Sequence, residues 1–241
     1  CHDRSAMTQP VRIWFNRGFS LAPIAGLMRS ADPSLEVYVS VSPMSAHYPG
    51  PTATWIDGGT DNAAGDPETY LDWVRDTIDR HAIDIFIPTR RRKLIAAADL
   101  PCRVHLPADV PTLELLDDKY AFAAALAGED YHLPTYRVAT GDALAALLAD
   151  WPDADGGEDA GPCVKPRQGV NGLGFWRLMD VSPMAHLQDS ERRRIRPDHY
   201  LAALREQERH GPIDEIVAMA YLPGPEISFD ILADKGRLLK Y

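Results

Sequence analysis

Lys165 ends a short apolar run, Cys163–Val164–Lys165, and Pro166 stops it. Arg167, Gln168, Gly169, Val170, Asn171, Gly172, Leu173 and Gly174 follow. Glycine lets a backbone take φ > 0 and come close to an anion. Successive N–H groups in such a loop form an anion-binding nest, and a lysine adds a compact point charge suited to phosphate. The stretch is not a P-loop, because no Gly-Lys-Ser/Thr follows. Taken alone, it reads equally as a plain β-hairpin with a surface lysine.

A second cation sits at Lys119. The chain has five lysines, Lys93, Lys119, Lys165, Lys235 and Lys240, among 25 Lys and Arg residues. A lysine kept in an arginine-preferring chain suggests a task arginine does not do. Lys119 falls in the first turn of a predicted helix, where a cation opposes the helix dipole. An anionic ligand nearby would offset that, and a solvated lysine is the plainer alternative. The third feature is Met219–Ala220–Tyr221–Leu222–Pro223–Gly224–Pro225–Glu226. An apolar strand meets a tight turn, and a carboxylate opens the next strand, with Glu226, Ser228 and Asp230 on one face. A carboxylate accepts two hydrogen bonds from a vicinal diol such as ribose. Backbone groups before the turn can pair with a purine edge. An amphipathic strand with a wet polar face is the plainer reading.

The elements that position these residues change character along the chain. Val11, Ile13 and Phe15 alternate with polar or aromatic neighbours, and so do Val37, Val39 and Val41, which is strand periodicity. A turn at 17–20 leads to a helical face of Leu21, Ile24, Leu27 and Met28. Trp55–Ile56 is a short apolar pair. Leu71, Val74 and Ile78 mark a helix opened by Asp66 and Pro67. Residues 83–87 read as a buried strand stopped by Pro88, 94–100 as a short helix and 104–106 as a strand. This alternation implies a parallel sheet with helices on both faces. It has no Gly-x-Gly-x-x-Gly after its first strand, so a dinucleotide site of the usual kind is unsupported.

After Pro111 the pattern becomes α+β. Asp117 is expected to cap a helix over 118–126, and Leu144, Leu147, Leu148 and Trp151 mark another. Residues 152–161 read as an acidic loop. Strands are expected at 163–165, 175–178 and 216–222, a helix at 200–208, and a hairpin whose strands carry Glu226–Asp230 and Arg237–Leu239 around Asp234–Lys235–Gly236.

Composition narrows the function. The 241 residues carry 25 Lys and Arg against 35 Asp and Glu, a net charge of −10. An acidic chain is poorly suited to nucleic acid. The basic runs Arg90–Arg91–Arg92–Lys93 and Arg192–Arg193–Arg194 read as solvated helix faces. No run of about 18 apolar residues suggests a membrane span, and no basic-then-apolar leader marks a secretory signal. Cys1, Cys102 and Cys163 lack metal spacing, which points to a reduced, cytoplasmic protein. His47, His81, His105, His132, His186, His199 and His210 also lack it, so no metal site is assigned to them. Residues 1–10 are expected to be a tag or disordered, with the stretch before Met7 vector-derived. Thr89 and Arg90, just past Pro88, lie at the carboxyl end of a strand, where α/β ligands sit.

The ordered set resembles the ATP-grasp superfamily of carboxylate–amine ligases, whose plan is shared by D-alanine–D-alanine ligase, biotin carboxylase and carbamoyl-phosphate synthetase. It comprises Asp118–Lys119 opening a helix, Val164–Lys165–Pro166 with its glycine loop, and Tyr221–Leu222–Pro223–Gly224–Pro225–Glu226 with Ser228–Phe229–Asp230. Lys165 follows Lys119 by 46 residues and Glu226 follows Lys165 by 61, which suits that family's small subdomain.

The resemblance implies a Rossmann-like α/β domain at 11–112, a small ATP-grasp subdomain at 113–222, and the start of a large one at 223–241. It implies ATP as ligand. Lys119 and Lys165 would meet the phosphates, Gln168, Gly169, Asn171, Gly172 and Gly174 would lie in the covering loop, backbone of Ala220 and Leu222 would pair with adenine, and Glu226 would hold the ribose. Met219 and Ala220 stand where the family usually has an acidic residue or Gln. Magnesium is implied too, but its usual ligands, an acidic residue and a Glu-x-Asn pair, are expected beyond Tyr241, so no metal-ligating or catalytic residue is assigned. The implied reaction phosphorylates a small carboxylate for attack by an amine or thiol. A catalytically silent nucleotide-binding protein is the alternative, and a Rossmann-type oxidoreductase or transferase, resting on the strand–helix alternation and Gly58–Gly59, is the weaker one. The acceptor and the oligomeric state, a homo-oligomer among its options, are not written in the sequence.

Overall fold

The computed structural model describes residues 9–16, 21–41, 54–57, 66–151, 161–169, 172–225, 227–229 and 231–240. The expected turn at 17–20, Gly58–Gly59 and the acidic loop at 152–160 lie outside them. The chain divides into two units, Cys1–Leu113 and Glu114–Tyr241. Among the described residues no helix is long and apolar enough to cross a membrane.

The first unit contains β1 (Arg12–Asn16), α1 (Leu21–Ala31), β2 (Glu36–Val41), β3 (Thr54–Asp57), α2 (Pro67–His81), β4 (Ile85–Pro88), α3 (Arg92–Ala97) and β5 (Arg103–Val104). The strands form one sheet in the order β3-β2-β1-β4-β5, with every neighbouring pair parallel. Period-two alternation divides its core. Ile13 and Phe15 pack with Leu21, Ala25, Val37 and Val39, while Trp14 faces the other way among Tyr70, Val74, Ile78, Phe86 and Ile95. The central strand is therefore apolar on both faces, as a sheet covered by helices on each side requires.

Asp66 caps α2 as expected, its carboxylate accepting the Thr69 N–H at 3.0 Å, with Pro67 in the first turn. The helix expected at 94–100 is α3, beginning at Arg92 and ending at Ala97. The basic run beside it is not a helix face throughout. Arg90 and Arg91 precede the helix, Arg91 has φ 51°, and its guanidinium lies 4.5 Å from the Tyr70 ring centre. The cause is Asn16, fully buried at the end of β1, whose Oδ1 accepts the Thr89 N–H at 2.6 Å and the Arg90 N–H at 3.4 Å. Thr89 and Arg90 thus follow β4 at its carboxyl end, bound to the end of β1.

Helix α4 (Val110–Asp117) crosses the division between the units. The second unit then holds α5 (Lys119–Ala125), β6 (Thr135–Val138), α6 (Gly141–Ala149), β7 (Pro162–Pro166), β8 (Trp176–Leu178), α7 (Ala185–Gln188), β9 (Arg194–Ile195), α8 (Pro197–His210) and β10 (Ile216–Ala220), followed by the hairpin β11 (Leu232–Asp234) and β12 (Arg237–Lys240). Its five-stranded sheet runs β6-β10-β7-β8-β9, antiparallel except for the β8–β9 pair. Val138, Val164, Leu178, Ile195, Ile216 and Ala218 form one face, packed with Leu144 of α6 and Tyr200, Leu201 and Leu204 of α8.

Four expectations need correction here. Asp117 ends α4, and the cap of α5 is Asp118, whose Oδ1 accepts the N–H groups of Tyr120 and Ala121 at 3.1 Å each. The sequence reading missed β6 and β9, which are four and two residues long and too short to show a period. Arg192–Arg194 is not a helix face: Arg192 ends a 3-10 turn, Arg193 has φ 51° and Arg194 begins β9. Finally, the strand expected to carry Glu226, Ser228 and Asp230 on one face is not seen. Residues 227–229 have no regular structure, the hairpin starts at Leu232, and Glu226 and Asp230 lie outside the described residues. The turn itself is as expected, with Lys235 and Gly236 at φ 46° and 77°.

Candidate anion-binding site

Strand register sets the site. Val217 lies opposite both Arg137 and Lys165, Met219 opposite Cys163, Cys163 opposite Arg177, and Arg177 opposite Arg194. Directly opposed residues share a face. The face turned away from α6 and α8 therefore carries Arg137, Lys165, Arg177 and Arg194, four cations on an otherwise acidic chain.

Lys119 reaches this region from the start of α5. Its backbone N–H donates to the Arg167 carbonyl at 3.1 Å, and its Nζ donates to the Gly169 carbonyl at 3.0 Å. Partial burial lowers the Lys119 pKa, and the nearby Lys165 charge lowers it further. So the structure brings Lys119, Lys165 and the glycine loop together. The Lys165 Nζ lies 5.5 Å from the Phe175 ring centre.

The loop's glycines are needed for their backbone. Gly172 and Gly174 have φ 63° and 71°. A Cβ on Gly174 would stand 2.6 Å from Cγ of Pro166. Gln168 is exposed, and Asn171 lies outside the described residues. Arg193 donates from Nη1 to the Gly172 carbonyl. A hollow of about 290 Å³ opens beside the loop, lined by Gly174, Phe175, Trp176, Ser190, Glu191 and Arg193.

At the end of β10, the pairing with β6 stops at Met219 opposite Thr135. Ala220 and Leu222 lie past that point, and Leu222 is exposed. Tyr221 donates its N–H to the Gly161 carbonyl at 3.3 Å, which fixes the chain direction on the β7 side. The Arg177 guanidinium lies 3.7 Å from the centre of the Tyr221 ring, and Phe175 lies 6.5 Å from that ring. Glu226, the expected sugar anchor, is outside the described residues.

Sequence reasoning missed the charge chain behind the lysines. Arg167 donates from Nε and Nη2 to Asp118 Oδ2 at 2.8 and 2.5 Å, and from Nη1 to Glu215 Oε2 at 2.5 Å. Arg137 donates from Nε to Glu215 Oε1 at 2.9 Å. The Arg167 guanidinium holds the Asp118 carboxyl down at about 2. Arg137 first, then Arg167, holds Glu215 below the usual carboxylate range. Arg167 stands two residues after Lys165, a spacing that places both on one face of an extended segment. That was the only signal available, because Glu215 is matched to it by register alone. Among the described residues no group of three or more His, Cys, Asp and Glu side chains is placed to hold a metal ion.

No family model matches the chain. No curated protein matches it either. Among solved structures the chain is similar to N5-carboxyaminoimidazole synthetase from Staphylococcus aureus, with 17% identity and a TM-score of 0.47 over 88% of this chain. The chain spans about half of that protein, 47% of its length.

Proposed function

We propose that the second unit grips the phosphates of ATP, and that the protein is an ATP-dependent ligase of the ATP-grasp type. One observation carries the reading: Lys119, 46 residues before Lys165 in sequence, is brought onto the loop that follows Lys165, its Nζ donating to the Gly169 carbonyl at 3.0 Å, beside glycines with positive φ. Lysines gathered beside a loop whose backbone takes positive φ suit the oxygens of a phosphate group. The motif order of Lys119, Lys165 with its loop, and the Tyr221–Leu222 turn adds support. The backbone of Ala220 and Leu222, past the end of β6, is proposed to receive the adenine edge, and Glu226 the ribose.

In this reading the γ-phosphoryl group passes from ATP to a carboxylate oxygen of a small substrate, giving an acylphosphate and ADP. An amine or thiol then displaces phosphate. The contribution of this chain is positioning and charge neutralisation by Lys119 and Lys165. Magnesium is proposed to accompany ATP and to add further neutralisation when bound.

Calorimetry with AMP-PNP and magnesium tests the reading on the full-length protein that contains this sequence. Saturable binding is expected, weakened at least about tenfold in both Lys119→Met and Lys165→Met. Wild-type affinity in both variants would refute it. Binding without ADP release across a panel of carboxylic acids would select the silent nucleotide-binding protein instead.

A further inference from the structure

The two lysines come from elements far apart in sequence, and something must fix their separation. Arg167 connects both. Its guanidinium forks onto Asp118, the cap of α5, and its third nitrogen reaches Glu215, the residue just before β10. Its backbone is equally committed. The Arg167 N–H donates to the Glu215 carbonyl at 2.9 Å, and its carbonyl accepts the Lys119 N–H. Asp118 is buried and spends its other oxygen on the first turn of α5.

We infer that Arg167 is the positioning residue of the phosphate site: by clamping the cap of α5 to the point where β7 ends and β10 begins, it fixes Lys119 against Gly169 and Lys165. The inference deepens the proposed nucleotide site and rests on that reading for its ligand. Arg167 itself is not placed on the nucleotide, because all three guanidinium nitrogens are engaged by Asp118 and Glu215. Lysine cannot replace it in this role, since an ammonium lacks the planar fork that meets two carboxylates from two elements at once.

The test uses the full-length protein with Arg167→Lys, Lys119→Met and the double variant. Arg167→Lys keeps the charge and removes the fork. AMP-PNP with magnesium is the probe, read by calorimetry on folded protein. Arg167→Lys is expected to weaken binding about tenfold, and the double variant to bind no more weakly than Lys119→Met within about twofold, because one loss acts through the other. Wild-type affinity in Arg167→Lys, or losses that simply multiply, would overturn the inference.

A second readout needs no nucleotide. The lysine ¹³Cε titration of Lys119 is expected to move up toward the ordinary value of 10.5 in Arg167→Lys, as Lys119 leaves its partly buried place beside Lys165. An unchanged titration overturns the inference, including when only thermal stability falls, which is the signature of a purely structural clamp. If the wild type fails to bind AMP-PNP, the proposed function fails, and the Lys119 titration still decides the role of Arg167.

Discussion

Two nitrogens of Arg167 converge on a single oxygen of Asp118, while the other Asp118 oxygen accepts two backbone N–H groups of α5. Four hydrogen bonds stabilise the ionised carboxylate, so its proton affinity falls. The folded value of about 2 lies below the unfolded value of about 3.9. A group with a depressed folded pKa contributes stability that is complete above the unfolded value and is lost as pH falls through the folded one. Asp118→Asn should therefore lower the urea midpoint fully at neutral pH, and the gap to wild type should close between about pH 4 and pH 2. A gap that does not change with pH would contradict this account of the pair.

The glycine loop supplies a graded pair of substitutions. Gly174 has φ 71°, and an added Cβ would meet the Pro166 ring at 2.6 and 2.9 Å. The ring cannot rotate away, so Gly174→Ala combines backbone strain with a clash and should cost about 1–3 kcal/mol. Gly172 has φ 63°, but its added Cβ would meet only the end of the Arg193 side chain at 3.4 Å, which can yield. Denaturant midpoints should rank Gly174→Ala below Gly172→Ala. The reverse ranking would mean that Pro166 does not limit the loop.

In the first unit, the Trp14 and Phe86 rings stack with centres 4.1 Å apart and planes 13° from parallel, both fully buried. Phe86→Ala removes a filled ring position between β1, α2 and α3, and should cost about 3–5 kcal/mol as transfer and cavity terms add. Trp14 is held from its other edge by its Nε1–H on Ser40 Oγ at 2.9 Å, so it has little freedom to collapse into the space. Chemical denaturation followed by tryptophan fluorescence measures the loss, and a cost below about 1 kcal/mol would show that the site repacks.

Much of the architecture follows from local pattern. Alternation of Val11, Ile13 and Phe15 with their neighbours marks β1 as a strand, and the Asp66–Pro67 pair marks where α2 begins, because a period of two and a capping side chain are properties of a few adjacent residues. Likewise, Lys165 with its glycines and the Asp118–Lys119 pair could be picked out as candidates for holding an anion. Local pattern failed where the deciding contact was distant. Thr135–Val138 and Arg194–Ile195 are strands only because β10 and β8 are there to pair with them. Arg90 and Arg91 read locally as a helix face, yet the backbone of Thr89 and Arg90 is bound by Asn16, more than 70 residues earlier.

The sequence by itself therefore determined the kinds of element and the chemical types at the site, since hydropathy period, caps and glycine freedom act over a few residues. The tertiary structure alone decided which charges meet. Register across β6, β10, β7, β8 and β9 put four cations on one face, and the Arg167 clamp between Asp118 and Glu215 joined two segments whose proximity no spacing along the chain encodes. Ion pairing depends on distance through space, and a linear sequence holds that distance only where the fold is already known.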